Sequence, residues 1–211
     1  MAAEFDPGAG LGTLGPRLRE ARASRRLSVR ELARRVGCSA SLISQIERGV
    51  SVPSVGVLYA LATELGSSLD YLLFGSGPGA GTAEAAEPQP AVPPPAAIVQ
   101  RGGDRKVIDL ASGVRWERLT PRSEAMTDFL EVVYSPGGHS TDERRPLRHD
   151  GREYGLVLSG TLTANVGFES YELGPGDSVA FDASTPHEYL NKTGEVVRVI
   201  SVVVHSGPGR A

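Results

Sequence analysis

Near the middle of this 211-residue chain the hydrophobic period changes from that of a helix to that of a strand. The stretch between the two halves can form neither. Gly75 to Ala97 is almost entirely Gly, Pro, Ala, Ser, Glu and Gln and ends in Pro93-Pro94-Pro95. Such a composition cannot build a core, so residues 76–100 are expected to be a linker. About 25 residues of coil reach on the order of 25–30 Å, and proline extends them further. The domains on either side, expected at 14–75 and 101–208, can therefore reorient unless they dock. Residues 1–13 are Gly- and Ala-rich without periodicity, and a disordered leader is expected there.

From Leu14 to Phe74 the pattern is helical. Leu14, Leu18 and Ala21 begin a first apolar stripe. Ser28, followed three residues on by Glu31, has the spacing of a capping box for a second helix, with Val29, Leu32, Ala33 and Val36 inward. Gly37 ends it. A third helix runs from Ser39 to Gly49, a fourth from Pro53-Ser54 to Gly66, and a fifth, capped by Ser68, covers Leu69–Phe74. The stop and start signals predict five helices.

Past the linker the period is two and β-branched residues dominate. Nine short strands are expected: Lys106–Leu110, Val114–Leu119, Phe129–Ser135, Tyr154–Ser159, Leu162–Val166, Ser170–Leu173, Ser178–Phe181, Glu188–Leu190 and Val196–Val204. Turns such as Pro136-Gly137-Gly138 and Gly174-Pro175-Gly176-Asp177 separate them. Many short strands at this spacing indicate an all-β sandwich or barrel.

Charge divides the chain in the same place. Between Gly15 and Val50 nine arginines meet three glutamates, a net charge of +6. From Arg101 onward 13 basic and 16 acidic residues leave −3. One domain is thus suited to a polyanion and the other is not. Acidic residues stand where a signal peptide would carry basic ones, and no apolar run is long enough to span a bilayer, so a cytoplasmic protein without a membrane partner is expected. The single cysteine, Cys38, excludes an internal disulfide and a thiolate-rich zinc site, and it is read as a small buried residue.

The stretch Leu27-Ser28-Val29-Arg30-Glu31-Leu32-Ala33-Arg34-Arg35-Val36-Gly37-Cys38-Ser39-Ala40-Ser41-Leu42-Ile43-Ser44-Gln45-Ile46-Glu47-Arg48-Gly49 closely resembles the helix-turn-helix of the XRE family. The resemblance covers Leu14 to Phe74 and implies a five-helix, lambda-repressor-like all-α domain that binds double-stranded DNA. The spacing supports it. Two helices joined by a Gly-containing turn leave the second free to enter a major groove. Ile43 and Ile46 should face the core, while Ser39, Ala40, Ser41, Ser44 and Gln45 lie outward. Gln45 is the candidate for direct readout, because its amide can pair bidentately with adenine. Ser41 and Ser44 can reach bases or phosphates, Ala40 a thymine methyl, and Arg30, Arg34 and Arg48 the phosphates. Val29 departs from the glutamine common at that position in the family.

Pro136 to Asn191 resembles the cupin superfamily, in particular sensor domains fused to XRE helix-turn-helix domains. The resemblance rests on His149-Asp150-Gly151-Arg152-Glu153 with Gly160, and on Pro175-Gly176-Asp177-Ser178 with Pro186-His187 and Asn191. It implies a double-stranded β-helix, or jelly-roll barrel, and a metal site. The family's ligand set is three histidines and a glutamate, and Leu147 stands at the first histidine. What remains is His149, Glu153 and His187, a set that suits iron(II) and also zinc or another divalent metal. Two other readings of the trio stay open: hydrogen bonding inside the barrel, or direct contact with an organic ligand. His139 and Tyr189 are further pocket candidates, and His205 is assigned no role.

The leading expectation is a transcriptional regulator rather than an enzyme, with a barrel that senses a small molecule or a metal. It would act as a homodimer or higher homo-oligomer on a roughly palindromic operator. The alternatives are a mononuclear non-haem iron enzyme resembling hydroxypropylphosphonate epoxidase, which has the same two-domain arrangement, and a barrel that serves only to dimerise. A shared fold does not transfer chemistry.

Overall fold

The computed structural model describes residues 6, 11–67, 69–74, 98–122, 124, 126–141 and 146–205. The expected linker, Ser68 and the chain ends lie mostly outside these. Five helices and nine strands are found among the described residues, each where the periodicity put it. No described helix is long and apolar enough to cross a membrane.

The helical part runs α1 (Leu14–Ser24), α2 (Val29–Val36), α3 (Ala40–Glu47), α4 (Val55–Leu65) and α5 (Leu69–Phe74). Three of the starts are fixed by serine caps. The hydroxyls of Ser28, Ser39 and Ser54 accept from the amides of Glu31, Leu42 and Val57, satisfying donors that a helix start leaves open. Gly37, at φ 77°, ends α2 in the left-handed region and turns the chain into α3. The capping box at Ser28 forms by half only. The Glu31 carboxylate turns away to the Arg34 and Arg35 guanidiniums, whose charge outcompetes a backbone amide. Leu18, Leu32, Ile43, Ile46, Leu58, Leu61, Leu65 and Leu72 fill the core without exposure. Arg22 bridges α1 to Glu47 at 2.6 Å, so this arginine serves the fold. Leu11, inside the expected leader, is also buried against that core, and the Asp6 amide donates to Asp109.

The β part forms two antiparallel sheets. One has the order β1 (Val107–Leu110), β2 (Val114–Arg118), β3 (Thr127–Tyr134), β9 (Val197–Val204), β4 (Arg152–Ser159), β7 (Ser178–Asp182). The other has β6 (Glu169–Leu173), β5 (Leu162–Val166), β8 (His187–Leu190). Single bridges, His139 with Leu190 and Leu147 with His187, tie the loop before β4 to β8. The two sheets close around an interior lined by alternate residues of β2, β3, β4, β5, β8 and β9. Helix α4 lies across one end of it. Val55 and Tyr59 line the interior along with the barrel's own side chains.

Candidate functional sites

On the helical part, α3 presents the expected outer face. Ile43 and Ile46 are buried, while Ser41 is exposed and Ala40, Ser44 and Gln45 are half-buried. Ser39 precedes them as the cap. Arg48, which ends α3, and Arg30, in the first turn of α2, are exposed. Arg34 is exposed too, but shares the Glu31 carboxylate with Arg35, which also approaches Glu64 at 3.9 Å. That sharing holds the Glu31 carboxyl at about 2, mainly through the Arg34 and Arg35 hydrogen bonds. Val29 is half-buried against the helical core, which accounts for an apolar residue there.

Inside the barrel, His149, Glu153 and His187 converge. His149 lies in the approach to β4, Glu153 is on β4, and His187 opens β8. Gly151 makes the first two meet: its φ of 109° is open to glycine alone in practice, and a Cβ there would stand 2.3 Å from the Val204 carbonyl oxygen. All three side chains are buried. Glu153 Oε2 lies 3.3 Å from His149 Nε2 and 3.4 Å from His187 Nε2. Neither approach has hydrogen-bond directionality, so both Nε2 atoms are buried without a hydrogen-bond partner. His187 Nδ1–H donates to the Thr185 carbonyl at 2.8 Å, which leaves Nε2 as a lone pair aimed at the carboxylate.

Burial alone would push the Glu153 carboxyl up. The close approach of the His149 and His187 imidazoles outweighs it and holds the group at about 2, ionised. A buried anion facing two nitrogen lone pairs is the donor set of a divalent cation. Donors about 2.1 Å from one ion stand roughly 3.0 Å apart at a right angle and 3.4 Å apart at a tetrahedral one, the range of the two separations between Glu153 and the histidines. These residues fit a metal ion with open coordination positions. The ion would act there as a Lewis acid toward an oxygen-bearing ligand.

Around the trio stand three buried phenols. Burial raises Tyr59, Tyr134 and Tyr189 above the ordinary phenol range, the charge on Glu153 adding to it, so all three stay protonated donors. The Tyr189 hydroxyl has no partner. Of the expected pocket residues, Tyr189 lines the interior and His139 does not. The His139 Nδ1 meets the Thr141 carbonyl, and its backbone bridges Leu190 outside the cavity. Leu147 also lines the cavity, its side chain packed toward α4. Sequence reasoning missed Tyr59, Trp116, Tyr134 and His205. His205 pairs with Asp128 at 2.7 Å.

Comparison with known proteins matches residues 18–72 to a helix-turn-helix family model and residues 130–203 to a cupin domain model. The HTH-type transcriptional regulator PuuR of Escherichia coli strain K12 is 29% identical over 189 residues, 89% of this chain and 92% of that protein. PuuR of Shigella flexneri matches to the same extent. Among solved structures, an HTH_3 family transcriptional regulator from Vibrio cholerae superposes with a TM-score of 0.65 at 22% identity. It covers 95% of this chain and 99% of that one. Hydroxypropylphosphonic acid epoxidase from S. wedmorenis aligns with 92% of this chain and 98% of its own at 19% identity and a TM-score of 0.41, too distant to carry its chemistry over.

Proposed function

The chain joins an XRE-type helix-turn-helix domain to a cupin domain, and on that premise we propose a sequence-specific DNA-binding regulator whose barrel responds to a divalent metal, a small ligand, or both. The observation that carries this reading is α3. Its inner residues are locked into the core and its outer ones, Ser41, Ser44 and Gln45, are polar, on a domain segment of net charge +6. Relatives named as transcriptional regulators align through both domains, which supports the same reading.

The acting unit is a homodimer. The outward face of the larger sheet supports this, with Phe129, Tyr154, Leu156, Leu158, Ile200 and Val202 side by side across β3, β9 and β4. Four of the six are more than a third exposed, forming an apolar patch of the kind that marks self-association. Two copies paired there would present two α3 helices to a roughly palindromic operator.

The test is selection of genomic fragments by the full-length protein, with zinc, with iron(II) under anaerobic conditions, and with a chelator. Enrichment of a shared sequence, altered by metal, is expected. The reading fails if no sequence is enriched over a variant carrying Ser41→Ala, Ser44→Ala and Gln45→Ala. The His149–Glu153–His187 set would also serve a mononuclear iron enzyme. Iron-dependent turnover in a protein with no DNA affinity would favour that second reading.

A further inference from the structure

Helix α4 belongs to two interiors at once. Leu58, Leu61 and Leu65 are fully buried in the helical core. Val55, Gly56 and Tyr59 face the barrel. The Tyr59 ring lies flat on His149, with centroids 4.2 Å apart and planes 9° from parallel. It also meets the edge of Trp116 at 5.9 Å. One turn earlier the helix approaches so closely that a Cβ on Gly56 would stand 2.9 Å from the Leu147 side chain. Leu147 occupies the position where the family's first histidine would ligate. Here its side chain is one of the contacts that join the two domains.

The space left inside is small. The cavity has an inner volume of about 30 Å³, room for about one or two waters. The joint also includes the Ala111 N–H to Pro53 carbonyl bond and the Lys106 and Arg118 cations over the Phe74 ring, and open space borders it. On one side a cleft of about 840 Å³ separates the α2–α3 turn and α4 from Pro146, Leu147 and Arg148. On the other, about 290 Å³ lies between α4 and Met126, Asp128, Asp150 and His205. A contact flanked by open clefts can part without unfolding either domain.

We infer that α4 is the lid of the barrel, and that any occupant larger than a metal ion with one or two waters lifts Tyr59 from His149 and moves the DNA-reading helices. This deepens the proposed regulatory reading and rests on it. The physical reason is that α4 cannot yield at the barrel alone. Its other face is locked against the helices that carry α3, so displacement at Tyr59 is transmitted through a rigid core. A ligand shifts such an equilibrium only by favouring one state, and here the docked state leaves inner room for little more than one or two waters. The unpartnered Tyr189 hydroxyl and the open metal positions select an occupant with an acceptor oxygen, such as a small carboxylate.

The chain's single tryptophan is Trp116, which is buried beside Tyr59, so the lid carries its own reporter. Acrylamide quenching of Trp116 is measured in full-length wild type and in Gly56→Leu, which wedges the joint. Leu147→Ala opens the same joint from the barrel side, should Gly56→Leu fail to fold. Affinity for a DNA fragment recovered by the genomic selection is measured in parallel, as is release of preloaded Ni²⁺ to EDTA. The opened variants should keep their helical circular dichroism, expose Trp116 and release Ni²⁺ faster. Their DNA affinity should shift by about fivefold or more. Folded variants with Trp116 still shielded overturn the lid, and exposed Trp116 with unchanged DNA affinity overturns the coupling. A protein that takes up no Ni²⁺ at all removes the metal reading, while quenching and DNA affinity still decide the lid.

Discussion

Gln45 sits two residues beyond the buried Ile43, on the turn of α3 that leaves its amide half-buried and directed outward. Gln45→Ala should weaken operator binding by about 1–3 kcal/mol and relax preference at one base pair, read by competition against operator variants. Unchanged affinity and preference would remove Gln45 from the readout. In the barrel, Glu153 supplies the anionic charge of the trio. Purified protein should hold about one divalent ion per chain, and Glu153→Ala should lose it while keeping its β-sheet signal. Elemental analysis after anaerobic purification and reconstitution measures this. Affinity should also fall as the pH drops, because protons compete for both imidazoles. The trio was legible through the resemblance of its two short segments to the cupin motifs, and the fold gives the physical reason for the first: the turn at Gly151 brings His149 and Glu153 together. Tyr59 was not, since an aromatic residue on an amphipathic helix reads as ordinary core until the helix is seen against a second domain.

At the scale of elements, helix and strand positions were legible for a physical reason. Serine caps, glycine stops and alternating burial act within a few residues, and sequence shows them directly. What lies beyond a turn is hidden. The pairing of β9 between β3 and β4 gathers Tyr154, Leu156, Ile200 and Val202 onto one outer face, and no local pattern announces it. If the proposed dimer forms on this face, Leu156→Glu should weaken it by about 2 kcal/mol, seen in light scattering as a lower mass than that of wild type at the same concentration. A dimer of unchanged strength would exclude this face. The ends of β3 and β9 are also pinned by charge. The Asp128 hydrogen bond raises the His205 imidazole above its usual 6.5, against the lowering effect of burial. A raised folded-state value means the pair stabilises fully below the unfolded pKa and loses that contribution as pH rises through the folded one. Asp128→Asn should lower the melting temperature at pH 6 and barely at pH 9. The change should be under about 1 kcal/mol, because the imidazole is partly exposed and screened.

For the whole molecule, the charge division seen in the sequence sets how it meets DNA. The basic surface belongs to the helical part, but its arginines are not equivalent. Arg22 is spent on Glu47 and the fold, and Arg34 and Arg35 share one carboxylate. Arg30, on α2, and Arg48, at the end of α3, are exposed. Composition counts these residues as equals, and only packing separates those left exposed from those that hold helices together. Counterion release makes the difference measurable, since each phosphate neutralised adds to the slope of log affinity against log salt. Arg30→Ala or Arg48→Ala should reduce that slope by about one and weaken all sequences alike, leaving base preference intact. Arg22→Ala should act differently. It leaves Glu47 without its partner in a mostly buried setting, so it should lower the melting temperature by the equivalent of about 3 kcal/mol, with the salt slope of the folded fraction unchanged. Salt titrations on all three variants, with melting curves, separate the two classes. A wild-type slope in both Arg30→Ala and Arg48→Ala would place the phosphates on another face of the domain.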